Sequence, residues 1–198
     1  RSVHATPCFN WPLISDCSRS SLERQAAKND PVARQVSTKY ALGIDFGTRS
    51  ARVLIVETDG GREVVDIAMD YAHGVMDSSL PDGTPLEADW ALQHPGDYVD
   101  VLRTAIQKAL ATGGISPADI VGVGIDFTSC TMLPLDEAGM PLCLRAEYAS
   151  TPHAYVKLWK HHAAQAEADK INRIAGLRGE DLLDSCGGRV SSEAMIPK

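Results

Sequence analysis

The chain lacks a basic excess. Its 198 residues hold 19 Lys and Arg against 26 Asp and Glu, a formal net charge of −7. A nucleic-acid-binding face needs a cationic stripe, so nucleic acid is not expected as a partner. No apolar run approaches the ~20 residues of a membrane helix, and no membrane partner is expected. The five cysteines (Cys8, Cys17, Cys130, Cys143, Cys186) are odd in number and scattered, with no Cys-x-x-Cys pair. Neither a zinc ribbon nor a disulfide framework follows, and a reducing, cytoplasmic compartment is the simplest reading. The phosphate-loop pattern G-x-x-x-x-G-K-[ST] is missing, and "GVGIDF" lacks the third glycine of G-x-G-x-x-G. There is no H-E-x-x-H and no G-x-S-x-G.

What is present is an ordinary globular composition, 44% hydrophobic and 23% charged. The length suits one domain with a real core, or one domain and part of another. Residues 1–38 contain Ser and Arg and show no sustained period. Such content fits a targeting segment, but Asp16, Glu23 and Asp30 speak against one. A disordered or foreign leader is expected there.

From Tyr40 a pattern sets in. "YALGID", "ARVLIVET" and "REVVDIAMDY" read as three strands. The turns between them are short, which predicts antiparallel hairpins. A Pro- and Gly-containing loop follows, then a helix after Pro95. Tyr98, Val101, Leu102, Ala105, Ile106, Ala109 and Leu110 share one face of it, and Gly113-Gly114 close it. "IVGVGIDF" predicts a buried strand, parallel to a central one because a helix precedes it. "TMLPLD" predicts a further strand turning at 136–139. Beyond Pro152 the chain is expected to become helical near Trp159, with Ala164, Ala168, Ile171 and Ala175 on one face and Gly176 as the stop. "GGRVSSEAMIPK" begins another element.

One tetrapeptide occurs twice: Gly43-Ile44-Asp45-Phe46 and Gly124-Ile125-Asp126-Phe127. The first opens "DFGTRSAR", a D-x-G-T-x-x-x-R pattern whose chemistry suits phosphate. Gly47 allows close backbone approach. Turn amides and the Thr48 and Ser50 hydroxyls donate to phosphoryl oxygens. Asp45 suits Mg²⁺ held through water, and Arg52 offers a planar fork. The same letters also make a plain polar turn, with Asp45 accepting from the turn amides. The second copy is followed by Thr128, Ser129, Cys130 and Thr131, small donors at a strand end that suit a polyol or a self-satisfied turn. Nothing marks a base for Cys130 as a nucleophile. His161 and His162 are adjacent, so they point apart; each reads as a lone exposed histidine.

Five stretches together resemble the FGGY carbohydrate kinases, and within them the ribulokinase branch. They are "YALGIDFGTRSARVLIV", "HGVMDSSLPDGTPLEADWALQHPGDYVDVL", "VGVGIDFTSCTMLPLDEAGMPLC", "PHAYVKLWKHHAAQAEADKIN" and "GGRVSSEAMIPK". The first is shared widely, even with actin-like ATPases, whereas "DFTSCTMLPLD" and "VKLWKHHAAQ" are more specific. The resemblance implies an α/β, ribonuclease H-like (actin-like ATPase) lobe: a mixed sheet with antiparallel hairpins and flanking helices, truncated. Residues 39–198 would be the N-terminal lobe, with the C-terminal lobe absent. It implies ATP and Mg²⁺ as cofactors and phosphorylation of a ketopentose, L-ribulose to L-ribulose 5-phosphate, in arabinose catabolism. The alternatives are another polyol or ketose kinase of the family (xylulose, glycerol) or a non-catalytic actin-like nucleotide module. A homodimer of the whole enzyme is a further implied partner state.

By the same resemblance Asp45, Gly47, Thr48, Arg49 and Arg52 take the phosphate and Mg-ATP positions. Thr128, Ser129, Cys130, Trp159, Lys160, His161, Ser192 and Glu193 take the sugar-binding ones. No catalytic base is assigned, since it is expected in the second lobe, and this chain alone is expected to be inactive. Ala194 departs from the pattern, where an aromatic residue is expected, which leaves the last helix open.

Overall fold

The computed structural model describes residues 38–179 and 181–198. The leader expected over 1–38 lies, Thr38 apart, outside the described residues.

Three strands run in sequence: β1 (Tyr40–Phe46), β2 (Ser50–Glu57) and β3 (Glu63–Asp70). Burial alternates along them, clearest in β2, where Ala51, Val53 and Ile55 are buried and the residues between them are not, which suits a sheet with one buried face. β1 pairs antiparallel with β2, and β2 with β3, as the short turns predict. A two-residue strand, β4 (Leu92–Gln93), precedes helix α1 (Pro95–Gly113). His94 caps α1 by accepting from the Gly96 amide, Pro95 sits in the first turn, and left-handed Gly114 closes the helix. Strand β5 (Ile120–Phe127) then returns parallel to β1, giving the order β3-β2-β1-β5. β6 (Val156–Lys157) pairs with β4 in a separate two-stranded ribbon. Helices α2 (Gln165–Arg178) and α3 (Leu182–Ser185) follow.

The apolar stripe of α1 lies on β2 and β3. Val101, Ala105 and Ala109 meet Leu42, Ile44, Ala51, Val53, Ile55 and Val65 in one core. Burying each larger aliphatic side chain stabilises by about 1.5–3 kcal/mol. A second cluster (Met76, Leu80, Leu92, Cys143, Ala154, Tyr155) lies under the long loops around the ribbon.

Several expectations need correction. β5 is not a buried strand: Val121, Val123, Ile125 and Phe127 are each 61–67% exposed. It is the edge of the sheet, and α1 packs instead on β2 and β3. "TMLPLD" makes only isolated bridges, Met132 to Lys157 and Leu135 to Pro141, because Pro134 has no amide to continue a ladder. The segment at Trp159 is not helical; it leaves β6, and α2 starts six residues later. Gly176 does not stop that helix, since Gly179 holds the left-handed cap. Residues 187–198 form turns and bends with no helix or strand.

Candidate functional site

The two copies of Gly-Ile-Asp-Phe lie side by side. In the parallel pairing Gly43 faces Gly124, Ile44 faces Ile125, Asp45 faces Asp126 and Phe46 faces Phe127. Parallel neighbours bring their carboxyl ends to one edge of the sheet, so the loops after Phe46 and after Phe127 emerge together. They are joined there: the Thr128 amide donates to the Phe46 carbonyl at 3.3 Å.

The loop after β1 is a tight hairpin. The Gly47 amide donates to the Ser50 carbonyl at 3.0 Å. A Cβ at Gly47 would lie 3.0 Å from that same oxygen, a tight contact that the turn meets only by giving a few tenths of an ångström, and glycine avoids it. Fully buried Gln93 braces the hairpin from below. Its Nε2 donates to the carbonyls of Gly47 (3.3 Å) and Thr48 (2.8 Å), and its Oε1 accepts from the Tyr98 hydroxyl. With both carbonyls held on Gln93 and the Gly47 amide held on Ser50, the turn keeps a fixed shape.

On the sheet face opposite α1, Asp126, Asp45 and Arg52 stand in one row across β5, β1 and β2. All three are exposed, and Arg52 also reaches Asp66 at 3.4 Å. With Gly43, Gly124 and Leu54 they line an open groove of about 370 Å³. Two carboxylates beside a guanidinium offer hard oxygen ligands and an anion fork in one place. That donor set fits a hydrated Mg²⁺ with a phosphate, since Mg²⁺ favours one or two carboxylates and keeps its waters.

The loop after β5 pairs two of its hydroxyls with each other, while Ser129 is exposed. Thr128 and Thr131 share a hydrogen bond of 2.7 Å, and Cys130 adopts a left-handed backbone at φ 54. Trp159 joins the two loops, its indole Nε1 donating to the Thr48 Oγ1 at 3.1 Å. The Lys198 ammonium donates to the carbonyls of Cys130 (2.9 Å), Leu158 (2.5 Å) and Trp159 (3.1 Å). Burial lowers its pKa, because the charged form loses water there.

Thr48, Trp159 and, through Lys198, Cys130 are thus linked by hydrogen bonds, Thr128 is tied to Phe46 and Thr131, and Asp45 and Arg52 lie on the back of the same hairpin. Arg49 and Lys160 line another cleft of about 400 Å³, with Tyr71 and His73. His161 is not an exposed histidine: it is 2% exposed, and its Nδ1 accepts the Ala91 amide at 3.2 Å. Burial first, then Lys157 and Lys198, push its pKa down to about 4. Ser192 and Glu193 gather on His162, at 3.2 Å and 3.3 Å. Three contributors are not among the residues assigned from the sequence. Asp126 stands in the repeat itself, whereas Gln93 and Lys198 reach carbonyls 39–68 residues away, which no local signal marks.

No family model matches the chain. Curated relatives do. A ribulokinase of Geobacillus thermodenitrificans is 55% identical over 161 residues, 81% of this chain and 28% of that protein. A ribulokinase of Mycolicibacterium smegmatis is 53% identical over 158 residues, 78% of this chain and 28% of that one. Among solved structures, a xyloylose kinase from Brucella ovis superposes with a TM-score of 0.57 at 21% identity, over 80% of this chain and 28% of that one. A gluconate kinase from Lactobacillus acidophilus gives 0.51 at 17%, over 72% and 23%. The fold is therefore that of the FGGY-type sugar kinases, an actin-like ATPase lobe present in part. The chain is homologous to the ribulokinases over about 80% of its own length, and it spans about 28% of the length of the relatives it matches.

Proposed function

We propose that this lobe serves an ATP-dependent ketopentose kinase that converts L-ribulose to L-ribulose 5-phosphate, with Mg²⁺ as the metal. The observation that carries the reading is the in-register pair of Gly-Ile-Asp-Phe strands, whose two loops are tied at Thr128 and Phe46. One loop ends in turn amides beside Asp45, Arg49 and Arg52, which suit phosphate. The other ends in Thr128, Ser129 and Cys130, which suit a polyol. Homology to ribulokinases favours ribulose over other sugars.

In this reading the residues position and neutralise, which is most of what phosphoryl transfer asks of a protein. Asp45 and Asp126 would hold Mg²⁺ through water. Arg52 and the Thr48 amide and hydroxyl would face phosphoryl oxygens. Thr128, Ser129, Cys130, Trp159, Lys160, His161, Ser192 and Glu193 belong to the sugar side, His161 from a buried position. Residues 39–198 act as the first lobe, and the base that takes the hydroxyl proton is assigned to a second one. A cytoplasmic setting and a homodimer of the whole enzyme complete the proposal.

The test joins this lobe to the second lobe of a ribulokinase relative and measures ADP release with a panel of sugars. L-ribulose is expected to exceed D-xylulose and glycerol in kcat/KM by tenfold or more. A preference for glycerol or xylulose would move the enzyme to another branch of the family. Nucleotide binding with no sugar-dependent turnover would favour a non-catalytic module.

A further inference from the structure

Away from the hairpin, three metal-ligating side chains meet where the loop after β3 reaches the start of α1. His73, His94 and Asp97 each present a ligand atom, and these atoms lie within 4.8 Å of one another. The His73 and His94 rings stack with centroids 4.4 Å apart and planes 26° from parallel. Asp97 is 4% exposed, and both its oxygens turn to His73: Oδ1 lies 2.7 Å from the ring Nδ1, and Oδ2 accepts the His73 amide at 2.9 Å. The His94 ring accepts the Gly96 amide at 3.2 Å, a long bond.

We propose that His73, His94 and Asp97 form a binding site for one borderline divalent transition-metal ion of the zinc type. Two imidazoles and one carboxylate are a nitrogen-rich set that suits Zn²⁺, Co²⁺ or Ni²⁺ and disfavours Mg²⁺, which prefers oxygen. The ion replaces the hydrogen between His73 Nδ1 and Asp97 Oδ1. That proton leaves Nδ1 for solvent, Nε2 takes one up, and the neutral ring binds with no net proton change. His94 enters through the lone pair that now accepts from Gly96, giving up only a long bond. The positive end of α1 opposes a cation, and the buried charge of Asp97 in its first turn offsets it. Water fills the remaining positions. His73 also walls the cleft shared by Arg49 and Lys160, so the ion would pin the 71–74 loop at that wall.

The experiment titrates the 198-residue chain with Zn²⁺ by calorimetry and with Co²⁺ by visible absorption, in excess Mg²⁺. One ion per chain is expected, with nitrogen- and oxygen-type Co²⁺ bands and no thiolate charge transfer. His73→Gln and His94→Asn, the latter keeping a helix-capping acceptor, should each weaken binding at least tenfold, the range in which even outer partners of a metal site act. His162→Gln should leave it unchanged, and circular dichroism should show all variants folded. Equal affinity in the His73 and His94 variants, thiolate bands, displacement by Mg²⁺, or no uptake at millimolar ion would each overturn the site. Exposed His73 provides a variant that leaves the core untouched, so a misfolded His94→Asn does not spare the proposal. None of these readouts depends on kinase activity.

Discussion

At the residue scale, His161 carries a clear consequence for acid stability. Its imidazole is buried and neutral, with a pKa near 4 against 6.5 for the free side chain. The unfolded chain therefore binds more protons than the folded one between about pH 6.5 and 4, and stability falls as pH drops through that window. Above pH 6.5 the contribution is fully present. The size is up to about 3 kcal/mol. Burial also lowers the pKa of His94 and His153, which adds in the same direction. Urea unfolding at pH 7 and at pH 5 should show a loss in the native chain that shrinks by about 1 kcal/mol or more in His161→Gln. An equal loss in both proteins would place the acid sensitivity elsewhere. The same residue shows where sequence reading stops. Two adjacent histidines in a polar segment read as exposed, and only the chain crossing at Ala91 buries one of them.

At the scale of elements, the β1–β2 hairpin is the piece on which the proposed site depends. Gly47→Ala sets a methyl 3.0 Å from the Ser50 carbonyl. The turn must open, at about 1–3 kcal/mol for such overpacking. The melting temperature should drop by ~3–9 °C. An unchanged melting curve would show that the hairpin tolerates a Cβ and is held more loosely than its hydrogen bonds indicate. β1, β2, β3, α1 and β5 were all legible because each is long enough to show its period, two for a strand and 3.6 for a helix. β4 and β6, two residues each, are too short to show one. Gly176 was mistaken for a helix stop because glycine alone does not reveal which position is left-handed; Gly179, three residues on, takes that conformation. In the site, the repeat of Gly-Ile-Asp-Phe was readable, but its register was not. The Gln93 brace was invisible, since nothing near Gln93 foretells the carbonyls it holds 45 and 46 residues earlier.

At the scale of the whole molecule, the edge strand decides behaviour in solution. Val121, Val123, Ile125 and Phe127 form one apolar row on the face that α1 covers over β2 and β3 but not over β5. The strand edge beside that row also presents backbone groups without a ladder partner among the described residues. The 198-residue chain by itself should self-associate at micromolar concentration, as judged by sedimentation velocity. Val123→Lys with Phe127→Lys should return it to a monomer. A monomeric native chain would mean that something outside the described residues covers the row. In the described residues no helix is long and apolar enough to cross a membrane, so this apolar row is not part of a spanning helix.

The central claim is that two neighbouring strands divide one site, β1 toward phosphate and β5 toward sugar. Steady-state kinetics of Asp45→Ala and Thr128→Val, in the lobe completed as above, test it most directly. Removing Asp45 should lower kcat by about 30- to 1,000-fold, corresponding to ~2–4 kcal/mol of lost electrostatic stabilisation, with the ribulose KM little changed. Removing the Thr128 hydroxyl should raise the ribulose KM and leave the ATP KM as it was. The reverse pattern, with Asp45→Ala changing only the sugar KM and Thr128→Val only the ATP KM, would contradict the division of labour.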